Sequence, residues 1–314
     1  MPERIKVFAP ASASNLGPGF DVLGLALEQP GDVVEAELSQ TPGVKIVEVT
    51  GAESLTTDPE RNVVGVAATA VLRRCDLGAR VGVRLWLHKQ MPLASGLGSS
   101  AASSVAGAAA VNHLLDGRLS QIELIRCALE GEALVSGTAH ADNVAPSVLG
   151  GIVLIRSYDP LDVVSLPVPP ALRIVVVHPH TIVETVTARR LVEERRFEIR
   201  QAVTNLGNIA ALVSALYTGN LELFGRSIKD DLIEPIRAPL VPAFAQVKQA
   251  AASAGALGCS ISGSGPSMFA FTASEETAHA VAGAMQAAFA GVGLTSKPYV
   301  GPVNIRGVTL LSAT

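Results

Sequence analysis

The run Met91-Pro92-Leu93-Ala94-Ser95-Gly96-Leu97-Gly98-Ser99-Ser100-Ala101-Ala102 constrains this chain more than any other segment. It lies between Val81–His88, which alternates as a strand, and Ala101–Leu115, a helix of small residues. A glycine-rich connection entering a helix leaves unpaired N–H groups at the helix start, where the dipole also favours an anion. Gly96 and Gly98 let the main chain wrap closely round phosphate oxygens, because no Cβ obstructs it. Ser99 and Ser100 can cap the helix and also ligate a metal or a phosphate. A plain Gly/Ser turn is the bland alternative, and Gly96–Ala101 also fits the G-x-G-x-x-A form of a dinucleotide site. That form needs a tight turn directly after the strand and an acidic residue at the tip of the next strand. Here Pro92 and Leu93 lengthen the loop, and Asp116 falls at a helix end before Gly117, which argues against it. No G-x-x-x-x-G-K-[ST] and no protein-kinase signature set occurs.

Composition narrows the class of protein around this loop. The 314 residues suffice for two packed domains, and 48% hydrophobic against 17% charged residues supply an ample core. A net charge of −4 without a basic block argues against nucleic acid as a partner. The opening MPERIKVFAP lacks the charged-then-apolar order of a signal peptide, and no apolar run approaches the ~20 residues of a membrane span. A cytoplasmic protein without a membrane partner is expected. Cys75, Cys127 and Cys259 have no metal-ligand spacing and read as reduced buried thiols.

The periodicities interleave helices and strands without strict βαβ alternation. Strands are expected at Ile5–Ala9, Val33–Leu38, Val44–Val49, Gly150–Ile155, Arg173–Val177, Leu257–Ser262 and Ser267–Thr272. Helices are expected at Asn62–Arg74 with Asn62 as N-cap, Gln121–Leu134, Glu184–Leu216 with a break, Leu221–Leu232, Ala243–Ala254 and Glu275–Phe289. Pro167-Val168-Pro169-Pro170 is the best linker candidate. The expectation is an α+β fold in two domains, 1–165 carrying the loop at 91–102 and 166–314 beyond it.

Further segments add chemistry. In Ala9-Pro10-Ala11-Ser12-Ala13-Ser14-Asn15-Leu16-Gly17-Pro18-Gly19-Phe20-Asp21, Asn15 and Asp21 bracket a rigid turn that can present both side chains to one small ligand. A second segment runs from Glu130-Gly131-Glu132 through Gly137-Thr138-Ala139-His140-Ala141-Asp142-Asn143-Val144-Ala145-Pro146 to Gly150-Gly151. Its His140 alone reads as a structural histidine, and a single His-x-Asp is poor evidence for a metal. Gly263-Ser264-Gly265-Pro266-Ser267 joins two strands, and Thr185 and Arg189 stand one helical turn apart. His178-Pro179-His180, at a strand end, reads as structural.

The run PLASGLGSSAA resembles the phosphate-binding motif of the GHMP kinases, and GSGPS resembles their third, glycine-rich motif. Within that superfamily the Asn15–Asp21 turn and HADNVAP followed by GG are similar to signatures of homoserine kinases. The resemblance spans Asn15 to Gly265 in order. It implies a ribosomal protein S5 domain 2-like N-terminal half, a ferredoxin-like C-terminal half, and ATP-dependent phosphorylation of L-homoserine in threonine biosynthesis. It further implies that the 92–102 loop, with Gly263, Ser264 and Gly265, holds ATP, that Ser100 and Glu132 hold Mg²⁺, and that Asn62 and Lys89 lie near the nucleoside. Asn15, Asp21, His140, Asn143, Thr185, Arg189 and Arg237 would position the acceptor without a dedicated base, the two guanidiniums holding its carboxylate. After Arg189 the sequence runs Arg190-Leu191-Val192 where family members often have Leu-Pro. Two other readings stay open: another kinase of the superfamily, mevalonate-type, and a catalytically inactive nucleotide-binding regulator. The oligomeric state is open too, a homodimer included.

Overall fold

The computed structural model describes residues 3–137 and 139–314. Met1 and Pro2 of the opening segment and Thr138 of the HADNVAP region lie outside them. The first half runs β1 (Arg4–Ser14), β2 (Leu23–Ser39), β3 (Gly43–Thr50), α1 (Val63–Arg74), β4 (Gly82–His88), α2 (Ser99–Leu114), α3 (Gln121–Ser136), α4 (Ala141–Leu149), β5 (Ile152–Tyr158) and β6 (Leu161–Leu166). The second runs β7 (Arg173–Pro179), α5 (Thr185–Glu193), α6 (Ile199–Thr218), α7 (Leu221–Ser227), α8 (Glu234–Arg237), α9 (Phe244–Ser253), β8 (Gly258–Ile261), β9 (Met268–Thr272), α10 (Glu275–Ala290), β10 (Ser296–Pro302) and β11 (Thr309–Ala313).

The expected α+β architecture is present. One sheet of seven strands has the order β11-β1-β2-β4-β3, with β5 on the early part of β2 and β6 beyond it. Its pairings are antiparallel except β3 with β4. A second, four-stranded antiparallel sheet has the order β10-β7-β9-β8. β11 returns to pair with β1, so a cut at 165/166 leaves one strand of the first sheet on the far side.

Helix α2 is the axle of the first half. Fourteen of its sixteen residues are buried, which explains a sequence dominated by Ala, Ser and Gly with no Lys, Arg, Asp or Glu: a helix enclosed on nearly all sides has little face for charged heads. At Gly107 an added Cβ would stand 2.8 Å from the Val64 main-chain oxygen, so the α1–α2 crossing depends on that glycine. Asn62 caps α1 as expected, its side chain accepting from the Val64 N–H. A second hydrophobic cluster unites the halves, with Leu16, Leu23, Leu25 and Leu97 packed together with Phe224, Phe269 and Phe271.

Three departures from the sequence reading have local causes. The expected helix 221–232 stops at Ser227, because the Asp230 carboxylate accepts N–H groups of Leu232, Ile233 and Glu234 and starts the short α8 instead. Strand β6 completes a hairpin with β5 that was not expected. Helix α4 was hidden by Pro146, four residues after Asp142, which has no N–H to donate back. The freed Asp142 carbonyl instead lies against Gly24 of β2, where a Cβ would come within 1.8 Å of it.

Candidate active site

The loop after β4 is held in shape before any ligand is considered. Gly98, at φ 63°, is the N-cap of α2, and no side chain caps the helix there. The N–H groups of its first turn are therefore available to an anion, with the dipole of a sixteen-residue helix behind them. A Cβ at Gly98 would meet Ser12 Oγ at 2.1 Å, and one at Gly96 would meet the Ser262 carbonyl oxygen at 2.4 Å. The β8–β9 turn braces this loop: Ser262 Oγ donates to the Gly96 carbonyl at 2.7 Å and Ser267 Oγ to that of Ser95 at 2.6 Å. With its proton committed to Ser95, Ser267 Oγ accepts from His178 Nδ1 at 3.0 Å. Burial pushes His178 down to about 4, so the ring is neutral and keeps that tautomer. His178 is structural, as expected, but what it supports is the anion loop.

The loop opens on a cavity of about 570 Å³. Leu93, Ala94, Ser95, Gly96, Gly98, Ser99 and Ser100 line it, with Gly263 and Ser264 opposite. The other loop residues implicated from sequence do not. Leu97, Ala101 and Ala102 are buried in the hydrophobic core, and Pro92 and Gly265 stand outside the lining. Helical geometry explains this, since only the outward edge of the first turn can face a ligand. Among the described residues, Ser99 Oγ is buried here without a hydrogen-bond partner.

Asn62 and Lys89 reach the cavity wall, but their polar groups are engaged elsewhere. Asn62 is the α1 cap, and its Nδ2 donates to the Thr56 carbonyl. Lys89 forms a buried ion pair with Asp32 and donates to the Ser99 carbonyl and to Ser103 Oγ, both at 2.8 Å. Those partners take the three donors of an ammonium. Burial pulls its pKa below the usual lysine value, against the opposing charge of Asp32. The Lys89 amine thus ties β2 and β4 to the start of α2, while the residue remains part of the cavity lining.

At the other end, seven residues singled out from sequence converge. Asn15, Asp21, His140, Asn143, Thr185, Arg189 and Arg237 all line the same cavity. Asn15 (φ 72°) and Asp21 (φ 60°) adopt left-handed conformations, which Asn and Asp tolerate best among non-glycine residues. Asn15 Oδ1 accepts from the Asp21 N–H, and its Nδ2 donates to the Gly263 carbonyl, stitching the turn to the second half. Both Asp21 oxygens accept from Arg189 Nη2, at 2.9 and 2.8 Å. The same Nη2 donates to His140 Nε2 at 3.0 Å, which leaves the His140 Nδ1 proton for Glu132 Oε1 at 3.4 Å. Burial opposes the His140 cation, yet Glu132 and Asp142 raise its pKa above the ordinary value. The Arg189 contact requires the neutral ring, so the geometry favours that form here. Arg237 Nη1 donates to the Gly263 carbonyl at 2.9 Å, and burial lowers its pKa to about 10, still well above neutrality. Both guanidiniums stack on Phe20, at 5.5 and 4.9 Å from its ring centre. Among the described residues, neither Arg189 Nε nor Arg237 Nε has an acceptor.

Sequence reasoning passed over Ser14, Arg61, Glu184 and above all Asp142, which also line the cavity. Asp142 is buried, and burial first, then the charge of Asp21, pushes it up to about 7. Its place inside HADNVAP was the available signal. Phe20 was quoted but given no role. Ser100 and Glu132, expected together, do border the same space, Glu132 being buried.

Comparison with known proteins follows this geometry. The family described as GHMP kinases N terminal domain matches residues 62–151, and GHMP kinases C terminal matches 212–291. A homoserine kinase of Chlorobium phaeovibrioides is 44% identical, covering 98% of this chain and 100% of that one. The crystal structure of homoserine kinase from Cytophaga hutchinsonii superposes with a TM-score of 0.95 at 47% identity, covering 99% of this chain and 98% of that one. L. major mevalonate kinase, solved with R-mevalonate, shares the fold at a TM-score of 0.73 and 16% identity, covering 100% of this chain and 99% of that one.

Proposed function

This chain belongs to the GHMP kinase family and within it to the homoserine kinases, and from that premise we propose that it transfers the γ-phosphoryl group of ATP to the side-chain hydroxyl of L-homoserine, a step of threonine biosynthesis. One observation carries the reading. An uncapped helix N-terminus and two guanidiniums, that of Arg237 buried and that of Arg189 part-buried, each with a spare Nε–H donor, border one cavity, which suits a polyphosphate at one end and a carboxylate at the other.

The main-chain N–H groups of Gly96–Ser100 bind the phosphates, backed by Gly263 and Ser264. Leu55, Arg61, Asn62, Val63, Lys89 and Val135 also line the cavity and would border the nucleoside. Arg189 and Arg237 take the acceptor carboxylate. Asp21 attracts its ammonium group, and His140, Asn143 and Thr185 border its path. Phosphoryl transfer through a loose transition state asks for alignment and charge neutralisation more than for a base, and none is assigned. Ser100 and Glu132 offer one hydroxyl and one carboxylate, a donor set that fits Mg²⁺ once phosphate oxygens and water complete it. Such an ion would supply charge neutralisation on the transferring group. No cluster of three His, Cys, Asp or Glu occurs among the described residues, so its binding would depend on the nucleotide. A division at 165/166 and a cytoplasmic location belong to the same proposal; no helix among the described residues is long and apolar enough to cross a membrane.

The test is ADP release against a panel of amino and hydroxy acids, with and without Mg²⁺. L-homoserine should stimulate release strongly and mevalonate should not. Stimulation by mevalonate alone would point to the mevalonate-type reading, and silence with every acceptor to an inactive regulator. Ser100→Ala and Glu132→Gln should each lower turnover by orders of magnitude while ATP still binds, since they act mainly on charge that develops during transfer. Near-normal turnover of both at saturating Mg²⁺ would remove the ion assignment.

A further inference from the structure

Asn205 is the polar member of the four residues that α6 buries, the others being Leu212, Ala215 and Leu216. An amide taken out of water costs stability unless its donors and acceptor are paired, and that of Asn205 is paired in two directions. Towards the second half, its Nδ2 donates to Asp230 Oδ1 at 3.0 Å and its Oδ1 accepts from the Asp231 N–H at 2.9 Å. Towards the first half, the same Nδ2 donates to the Pro18 carbonyl at 3.4 Å. These partners fix the orientation of the amide, since a carboxylate and a carbonyl demand the NH₂ edge and an N–H demands the oxygen.

Both segments that Asn205 touches lead to the acceptor end of the cavity. Pro18 lies in the 15–21 turn shortly before Phe20 and Asp21. That turn is held as one unit by the Gly19 N–H on the Asn15 carbonyl and the Asn15 N–H on the Leu23 carbonyl. Asp230 accepts the N–H groups of Leu232 and Ile233 on Oδ1 and of Glu234 on Oδ2, and so starts α8, whose last residue is Arg237. The two segments also meet directly. A Cβ on Gly17 would stand 3.3 Å from the Ile228 main chain, and the Phe20 ring stacks on the Arg237 guanidinium. We infer that Asn205 is a positioning residue for the acceptor: it sets the separation of Asp21, which attracts the ammonium group, from Arg237, which takes the carboxylate. The assignment of those two ligand groups rests on the function proposed above.

Neighbouring amides show what is particular to Asn205. Gln201 and Asn208 stand on the same helix, about one turn to either side. Gln201 Nε2 donates to the Asp231 carbonyl at 3.1 Å and Asn208 Nδ2 to that of Lys229 at 2.9 Å. Both hold the 229–231 segment, as Asn205 does. Of the three amides, that of Asn205 alone also bonds to the 15–21 turn. A ligand gripped at both ends responds steeply to the spacing of the grips, because the second contact forms without further loss of translational freedom only when that spacing is right. A ligand gripped at one end does not.

Steady-state ADP release with L-homoserine, ATP and propanolamine, which is homoserine without its carboxylate, separates these cases. Asn205→Leu, close in volume but without the amide, should raise the homoserine KM by about tenfold or more, while the ATP KM and the inhibition constant of propanolamine stay within about twofold. Asn205→Asp still accepts from the Asp231 N–H but turns an oxygen towards Asp230. It should show the same selective loss, and it decides the matter if the leucine variant fails to fold. Asn208→Ala, which loosens the same segment without touching the turn, should leave all three constants within about twofold. Equal weakening of homoserine, propanolamine and ATP would make Asn205 a general support of the fold and overturn the inference. An effect of Asn208→Ala as large as that of Asn205→Leu would overturn it too. A native chain inert towards homoserine would remove the reading of the cavity and this role together, whereas an active native chain whose Asn205 variants keep the homoserine KM overturns the role alone.

Discussion

Asp21 and Arg189 already satisfy each other, so a zwitterion entering between them exchanges one internal ion pair for two to the ligand. The two side chains, Arg189 and Asp21, are 19% and 28% exposed and line the cavity, which keeps that exchange accessible. Arg189→Leu or Arg237→Leu should raise the homoserine KM by about 30-fold or more and change the ATP KM little, since loss of one side of a desolvated charge pair costs roughly 2–5 kcal/mol. Equal phosphorylation of a homoserine analogue lacking the carboxylate would contradict the clamp. Asp142 adds a pH dependence. Its folded pKa of about 7 stands above the ordinary 3.8, so the stability it contributes is full below 3.8 and is lost as pH rises through about 7. Melting temperatures from pH 5 to pH 8, taken at ~1 unit intervals, should therefore fall more steeply for the native protein than for Asp142→Asn. Parallel curves would show that Asp142 does not titrate there. The residue types of the site were legible because motif and turn chemistry name them. The use of Lys89 was not, because its partner Asp32 lies 57 positions away and only the fold brings the two together.

Among the elements, α2 shows most plainly how local sequence becomes function. Its start must be bare of a side-chain cap and must turn through φ 63° at Gly98 while Ser12 Oγ stands where a Cβ would go. Gly98→Ala should lower thermal stability by ~1–2 kcal/mol from the left-handed backbone alone. It should also weaken ATP binding in calorimetry, because relief of the Ser12 contact moves the first turn. Unchanged nucleotide affinity would mean that the helix start is not the phosphate site. Elements with a clean period, such as α1, β4 and α10, could be read from sequence to within a few residues. α4 could not, as its proline and the glycines after it signal a loop until the Asp142 carbonyl is seen resting on Gly24. The end of α7 was missed for a related reason: Asp230 competes for main-chain N–H groups that a longer helix would have used.

At the scale of the molecule, the two halves share the cluster of Leu16, Leu25, Phe224 and Phe269, and β11 crosses back to β1. Calorimetry should accordingly record one cooperative unfolding transition; two resolved transitions would show that the halves unfold independently. The walls of the cavity differ sharply in how they are anchored. On one side stands α2, enclosed by the core, and the 15–21 turn, held by Asn205 at Pro18 and by Tyr158 at Asp21. On the other stands α5, nine residues long, with only Ala188 and Val192 buried. The consequence is kinetic: the cavity is a vise with one firmly anchored jaw and one lightly anchored jaw, and product release is expected to proceed by fraying or tilting of α5 while the phosphate loop stays still. Hydrogen exchange should then be fast at 185–193 and slow at 99–114 in the free protein, with homoserine slowing only the former. Protection of 185–193 as high as that of 99–114 would mean that both jaws are rigid.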